Sequence, residues 1–122
     1  MRFEKDFLDN IVNITSNAAI ACYPHLGKKD KILADKAATD EMRKNLNQLD
    51  INGKVVIGEG ELDEAPMLYI GEKLGTGKGP SIDIAVDPLE GTNFAANNLP
   101  GALSVLAVSL KGNLFSAPET YM

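Results

Sequence analysis

The N-terminal part of the chain carries apolar side chains at intervals of three and four, which is the pattern of amphipathic helices. The first apolar stripe consists of Phe3, Phe7, Ile11, Ile14, Ala18 and Cys22. The second consists of Ala34, Ala38, Met42, Leu46 and Leu49. We predict one helix that Pro24 and Gly27 end. We predict another that begins at about Asp30, a residue type favoured as an N-cap, and ends at Asn52-Gly53.

The remainder of the chain is dominated by strand patterns. Residues 54–58 form a short continuous apolar run typical of a buried strand, and residues 82–87 alternate as in a strand with one buried face. Residues 102–110 predict a third strand, and residues 114–117 a fourth that returns antiparallel after a short turn. A short helix is predicted over residues 65–73. This order predicts an α/β (α+β) fold, in which two N-terminal helices pack on a mixed or antiparallel sheet.

The strand over residues 82–87 leads into an acidic turn, Asp87-Pro88-Leu89-Glu90-Gly91-Thr92. Because Pro88 fixes φ and Gly91 permits unusual backbone geometry, we predict that the strand ends at Asp87 and the chain turns sharply. Asp87 and Glu90 are oxygen donors of the kind that hold a hard divalent cation, and Thr92 could orient a water or bind a phosphate oxygen. Backbone N–H groups at Gly91 and Thr92 would add an anion site if they open a helix. The same residue types form ordinary surface turns, so the motif alone leaves both interpretations open.

A second acidic cluster, residues 59–64, follows the first predicted strand. Neighbouring carboxylates repel one another unless cations or solvent screen them, and most such clusters are solvated loops. Here Gly58 and Gly60 flank Glu59 and would allow the backbone to approach a ligand closely. Glu59 is therefore the best candidate metal ligand in this cluster.

Four further residues are interpreted as structural on pattern alone. Cys22 lies on the apolar stripe of the first helix, which indicates a buried thiol. Lys31 and Asp35 are spaced as an exposed i,i+4 ion pair. Asp83 shares the face of the acidic turn's first residue but lies further from the strand end, so we predict a structural role for it.

The composition limits the classes of partner. The 122 residues are 44% hydrophobic, enough for one globular domain with a core. A net charge of −5, from 17 acidic and 12 basic residues, argues against nucleic acid or an anionic membrane as a partner. No apolar run approaches the roughly 20 residues of a membrane span, and the N-terminus lacks the apolar centre of a signal peptide, so we expect a cytoplasmic location. The chain stops directly after a strand-like segment, which we interpret as a truncation.

Three segments together resemble one enzyme family. They are KILADKAA at 31–38, VIGEGELDEAPML at 56–68 and DIAVDPLEGT at 83–92. They are similar to the bacterial class II fructose-1,6-bisphosphatases, and the resemblance extends over nearly the whole chain. The pattern D-P-x-(D/E)-G-T is shared by the wider superfamily of metal-dependent, lithium-sensitive phosphatases, which includes inositol monophosphatases. Residues 58–68 narrow the resemblance to the fructose-1,6-bisphosphatases.

The resemblance implies roles for individual residues. The metal ligands would be Asp35, Glu59, Asp87, Glu90 and the carbonyl of Leu89. Thr92 would position the attacking water, with Asp63 as its acid/base partner and Lys31 near the metal and phosphate. The substrate contacts would be Glu90, Gly91, Thr92 and Tyr121. An all-oxygen ligand set suits Mn²⁺ or Mg²⁺ as the cofactor. For Asp35, this implied role replaces the exposed ion pair.

The implied activity is hydrolysis of the 1-phosphate of fructose 1,6-bisphosphate to fructose 6-phosphate and phosphate by metal-activated water, in gluconeogenesis and glycerol metabolism. Family members are more than twice as long, so residues 1–122 would be the N-terminal, metal-binding half of a layered sugar-phosphatase fold. The other half would supply a further acidic ligand and basic residues for the far phosphate. Residues 93–98 depart from the family pattern where a basic residue is common, which leaves local phosphate contacts open.

Two alternatives remain at the level of sequence. The first is a related sugar or inositol phosphatase, including one that accepts sedoheptulose 1,7-bisphosphate. The second is an inactive α/β fragment that associates with itself through exposed strand edges. The partners expected from the main interpretation are a sugar bisphosphate substrate and further copies of the chain, in a dimer or tetramer.

Overall fold

A computed structural model describes residues 3–60 and 67–116. In these ranges the chain forms three α-helices, one short 3₁₀ helix and four strands. The elements are α1 (Lys5–Cys22), the 3₁₀ helix (Tyr23–His25), α2 (Lys31–Asn47), β1 (Asn52–Ile57), β2 (Lys73–Leu74), β3 (Ser81–Glu90), α3 (Thr92–Ala96) and β4 (Leu103–Leu110). The fold is mixed α/β, which confirms the predicted class. No helix in the described part of the chain is long and apolar enough to cross a membrane.

The two long helices lie where the apolar stripes predict them. α1 buries Ile14, Ala18 and Cys22, and it passes into the 3₁₀ helix around Pro24. Asp30 caps α2, since its Oδ1 accepts a hydrogen bond from the N–H of Leu33 at 3.0 Å. This cap confirms the predicted start of the second helix.

The predicted end of the second helix is wrong by several residues. α2 ends at Asn47, and Asn52 and Gly53 are the first residues of β1. A Cβ atom on Gly53 would lie 2.8 Å from the carbonyl oxygen of Leu74 and 2.8 Å from Cδ1 of Ile84. Gly53 is therefore required by close packing inside the sheet, and it does not mark the end of a helix.

The four strands form one sheet in the order β2-β1-β3-β4. β1 pairs antiparallel with β2 and parallel with β3, so the sheet is mixed. The parallel register begins at Asn52 opposite Ser81 and continues to Ile57 opposite Ala85, with an irregularity between Val55 and Ile57. β1 is buried only at alternate positions, Gly53 and Val55, so it is not the fully buried strand that its continuous apolar run predicts.

Two predicted elements are absent from the described residues. Residues 67–72 form turns where a helix was predicted, because their N–H groups bond across to the β1 segment: that of Gly71 donates to the carbonyl of Val55, and that of Ile70 to the carbonyl of Gly60. Residues 114–116 form no strand after β4. The sheet still has four strands, because residues 73–74 form β2. Two residues are too few to show the alternating pattern by which a strand is predicted.

The chain divides into two compact units, residues 1–42 with 88–105 and residues 43–87 with 106–122. The fully buried apolar side chains of the first unit include Ala18, Ala34, Ala38 and Met42. Those of the second include Leu46, Ile51, Val55, Leu68, Ile82 and Ile84. Asp83 is also buried in the second unit, and its Oδ2 accepts a hydrogen bond from the N–H of Gly112 at 2.7 Å. This contact confirms the structural role predicted for Asp83.

The thiol of Cys22 is buried, with 4% of the residue exposed, as the apolar stripe predicts. Burial, and then the negative charge of Asp35, raise the pKa of this thiol above its ordinary value. The reactive thiolate is therefore scarcer in the folded chain than in the unfolded chain at any pH near 8. We expect an aromatic disulfide reagent at pH 8 to label the folded chain at least about tenfold more slowly than the urea-unfolded chain. Equal labelling rates would contradict this burial.

Candidate metal centre

Glu59 and Asp87 follow corresponding positions of the two parallel strands. The last matched pair of β1 and β3 is Ile57 with Ala85, and two further residues along each chain are Glu59 and Asp87. Because the strands run in the same direction, both carboxylates are carried toward the same edge of the sheet. Each residue is partly exposed. The sequence-predicted ligands of these two strands thus belong to one edge.

The backbone around Glu59 is fixed by the segment that runs beside it. The N–H of Glu59 donates to the carbonyl of Leu68 at 2.9 Å, and the N–H of Leu68 donates to Oε2 of Glu59 at 3.2 Å. A Cβ atom on Gly58 would lie 2.5 Å from the Leu68 carbonyl oxygen. Gly58 therefore permits a close approach to the backbone at Leu68, whereas the sequence predicted a close approach to a ligand.

The acidic turn lies further along β3 than the sequence predicts. β3 does not end at Asp87 but continues through Pro88 and Leu89 to Glu90. Pro88 is tolerated because it lies beyond the last matched pair with β1, so its missing N–H removes no hydrogen bond from that ladder. Asp87 is therefore held by an extended strand rather than by a turn.

The sharp turn occurs at Gly91, which has φ = +82° and precedes the first residue of α3. The Gly91 carbonyl accepts hydrogen bonds from the N–H groups of Phe94 and Ala95. Thr92 is the first residue of α3, so the N–H groups of this turn do open a short helix. Leu89 is 7% exposed, whereas Glu90 at the end of the strand is exposed.

Of the other predicted site residues, two lie in α2 and two lie outside the described part of the chain. Lys31 is the exposed first residue of α2, and Asp35 lies one turn later, with its Oδ1 atom shielded from solvent. Asp63 and Tyr121 lie outside the described residues. Within residues 3–60 and 67–116, no three His, Cys, Asp or Glu side chains are gathered in a group that could hold a metal ion. The full ligand set therefore stays a prediction.

Sequence reasoning missed a set of contacts made by Arg43 of α2. Its Nε donates to Oε2 of Glu72 at 2.9 Å, and its Nη2 donates to Oε1 of Glu72 at 3.1 Å. Nη2 also donates to the carbonyl oxygen of Met67 at 2.6 Å. Arg43 and Glu72 are 29 residues apart, and the helix predicted over residues 65–73 concealed their pairing. No local spacing in the sequence signals this contact.

Residues 5–122 match the family described as bacterial fructose-1,6-bisphosphatase, glpX-encoded. The chain belongs to this family. A D-fructose 1,6-bisphosphatase class 2/sedoheptulose 1,7-bisphosphatase from Synechococcus sp. (strain CC9902) is 53% identical over 119 residues, which are 98% of this chain and 36% of the relative. The fructose-1,6-bisphosphatase 1 class 2 of Escherichia coli (strain K12) is 58% identical over 109 residues, covering 89% of this chain and 32% of the relative.

The chain thus spans about a third of the length of the curated relatives that it matches. Among solved structures, an extragenic suppressor from Pyrococcus furiosus is similar, with a TM-score of 0.60 and 22% identity over 88% of this chain and 41% of that one. At this identity the likeness concerns the fold alone. It supports the mixed α/β architecture independently of the sequence matches.

The residues of the sheet edge suit a divalent metal for this bisphosphatase family member. Glu59 and Asp87 offer carboxylate oxygens, the donors that hard cations prefer, and no softer His or Cys ligand accompanies them in the signature segments. Mg²⁺ is usually held by one or two carboxylates together with waters and substrate phosphates. A centre of two protein carboxylates at this edge fits that manner of binding.

Proposed function

We propose that the chain is the N-terminal, metal-binding part of an enzyme that hydrolyses the 1-phosphate of fructose 1,6-bisphosphate to fructose 6-phosphate and phosphate. Identity of 53–58% to relatives that carry the class 2 fructose-1,6-bisphosphatase name carries this proposal. The carboxylates of Glu59 and Asp87, each two residues beyond the last matched pair of the parallel strands, support it from the fold.

Two carboxylates at the sheet edge would hold the metal in this proposal, together with the further ligands Asp35, Glu90 and the carbonyl of Leu89. The bound cation, Mn²⁺ or Mg²⁺, would lower the pKa of a water and stabilise the phosphate charge. Holding Glu59 through the Leu68 N–H keeps its carboxylate oriented before the metal arrives. Preorganisation of this kind lowers the cost of assembling the centre.

The turn after β3 would bind the 1-phosphate. Gly91 takes a left-handed conformation that directs the chain into α3, and the N–H groups that begin this helix could donate to a phosphate. Thr92 is partly exposed at the first position of α3, from which its hydroxyl could orient the attacking water. Asp63 would accept the proton of this water, and Lys31 and Tyr121 would contact the phosphate and the sugar.

The direct test is phosphate release from fructose 1,6-bisphosphate with Mn²⁺ or Mg²⁺. This chain is compared with a full-length form, in which the chain is continued to the length of its relatives. We expect release by the full-length form alone, because the basic residues implied for the far phosphate are absent here. Activity in the short chain would show that Asp35, Glu59, Asp87, Glu90 and Thr92 suffice for the chemistry. Inactivity of both forms would overturn the proposal.

A second substrate is favoured by a specific observation. The Synechococcus relative, 53% identical to this chain, is named for sedoheptulose 1,7-bisphosphate as well as fructose 1,6-bisphosphate. A substrate panel that includes inositol monophosphate would separate activity on the two sugar bisphosphates from the activities of the wider superfamily.

Four further properties stay predictions: the roles in gluconeogenesis and glycerol metabolism, the cytoplasmic location, and assembly into a dimer or tetramer. Gel filtration of the short chain tests its self-association, against which a clean monomer would count.

A further inference from the structure

The guanidinium of Arg43 joins two parts of the segment that runs beside Glu59. It grips the carboxylate of Glu72 through Nε and Nη2, at 2.9 and 3.1 Å, and Nη2 also binds the carbonyl of Met67 at 2.6 Å. The side chains of Arg43 and Glu72 are 26% and 10% exposed, so this ion pair is partly buried. A bidentate contact of this kind fixes the orientation of the guanidinium relative to the carboxylate as well as the distance between them. We call Arg43, Glu72 and the Met67 carbonyl the Arg43 clamp.

One peptide unit connects the Arg43 clamp to Glu59. The carbonyl of Met67, which accepts from Arg43, and the N–H of Leu68, which donates to Oε2 of Glu59, belong to the same peptide group. A peptide group is planar, so the orientation of its carbonyl determines the direction of its N–H. Arg43 binds the carbonyl edge of this planar group and therefore orients the hydrogen bond that its N–H, on the opposite edge, donates to Glu59. The positive charge on the carbonyl side also polarises the N–H as a donor.

We infer that Arg43 is a positioning residue for Glu59, acting through the Met67–Leu68 peptide. This inference rests on the proposed function, in which Glu59 is a metal ligand. The partners of metal-ligating carboxylates orient those ligands, and changing such partners typically weakens metal affinity by about 10- to 100-fold. Arg43 touches neither the metal nor the substrate in this account. Its effect is on how tightly the centre holds its cation.

The test is an Arg43→Lys variant of the full-length form, titrated with Mn²⁺ while free Mn²⁺ is followed by electron paramagnetic resonance. Lysine keeps the charge but cannot span Glu72 and the Met67 carbonyl with a planar fork. We expect the Kd for Mn²⁺ to rise about tenfold or more. Phosphate release at saturating Mn²⁺ should return close to the unsubstituted rate, because the ligands themselves are unchanged. A folded Arg43→Lys variant with a Kd within twofold of the unsubstituted protein overturns the inference.

Two further variants distinguish this positioning role from a general loss of structure. Lys44→Arg changes the neighbouring exposed position of α2 and should leave the Mn²⁺ affinity unchanged. If Arg43→Lys does not fold, Glu72→Gln is measured instead, since it keeps the side-chain size and loosens the same clamp. It should weaken Mn²⁺ binding in the same direction. Unchanged affinity in folded Glu72→Gln would equally overturn the inference.

The same titration separates this inference from the proposed function. If the unsubstituted full-length form binds Mn²⁺ but releases no phosphate from fructose 1,6-bisphosphate, the proposed substrate is wrong, while a weakened Arg43→Lys variant still supports the clamp. If the unsubstituted form is active and Arg43→Lys binds Mn²⁺ equally well, the inference about Arg43 fails alone. Absence of Mn²⁺ binding by the unsubstituted form overturns the inference about Arg43, while the proposed function is then decided by phosphate release with Mg²⁺.

Discussion

An Asp87→Asn variant of the full-length form is expected to lose phosphate release from fructose 1,6-bisphosphate almost entirely, with kcat lowered by about a thousandfold. Charge stabilisation by a bound cation contributes several kcal/mol to such a transition state. Each 1.4 kcal/mol corresponds to a factor of about ten in rate. Asn keeps the size of the side chain but removes the charge that would hold the cation. Glu59→Gln is expected to have an effect of similar size.

The measurement is steady-state phosphate release over a range of Mn²⁺ concentrations. Asp83→Asn is the matched control, because Asp83 lies on the same strand but accepts its hydrogen bond from the N–H of Gly112. It should cost about 1 kcal/mol of unfolding free energy while the folded enzyme keeps its rate. If Asp87→Asn retains most of the activity, Asp87 is not a metal ligand, and the same outcome for Glu59→Gln removes that residue.

Gly75→Ala is expected to produce a large loss of stability, about 3 kcal/mol or more of unfolding free energy. Gly75 has φ = +98°, and a Cβ atom there would lie 2.4 Å from the carbonyl oxygen of Ile51. The neighbouring backbone is anchored, since the N–H of Gly75 donates to Oδ1 of Asn47 at 3.1 Å and that of Gly77 donates to the Ile51 carbonyl at 3.0 Å. The alanine must therefore pay for both a strained conformation and a backbone displacement.

Gly77→Ala is the control for this experiment, because it shares the loop and the positive φ, +85°, but a Cβ atom there meets nothing within 4 Å. It should cost only the conformational strain, about 1 to 2 kcal/mol. Urea unfolding of the two variants, followed by circular dichroism, gives the difference directly. Equal losses for Gly75→Ala and Gly77→Ala would show that the loop yields to the added methyl group, and the close approach to Ile51 would then carry no energetic weight.

Residues 75–80 carry glycines at positions 75, 77 and 79, a composition that predicts a flexible surface loop. The structure holds this loop in place, since Thr76 Oγ1 donates to Oδ1 of Asp50 at 2.9 Å and the N–H of Thr76 donates to the carbonyl of Leu49. Its glycines permit a tight fit against the turn between α2 and β1. Composition reports that positive φ angles are available, but it does not report which backbone lies alongside.

The candidate site was predictable where its residues are close in sequence. Asp87, Glu90, Gly91 and Thr92 occupy a six-residue stretch whose chemistry points to metal and phosphate, and α3 does begin at Thr92. The extent of β3 was not predictable, because proline usually interrupts a strand, whereas Pro88 lies beyond the last matched pair with β1 and removes no hydrogen bond from that ladder. The correspondence of Glu59 with Asp87 required the register of two strands whose first matched residues, Asn52 and Ser81, are far apart in the chain.

The sequence by itself determined the two long helices, the N-cap at Asp30, the burial of Cys22, the mixed α/β class and the family. These features follow from periodicity, capping chemistry and motifs, which act over a few neighbouring residues. Only the tertiary structure decided that residues 67–72 run beside β1 rather than forming a helix. It also decided that Arg43 bonds to Glu72 and to the Met67 carbonyl. Buried backbone N–H and C=O groups form hydrogen bonds with whichever partner the fold brings near. The local sequence pattern does not identify that partner.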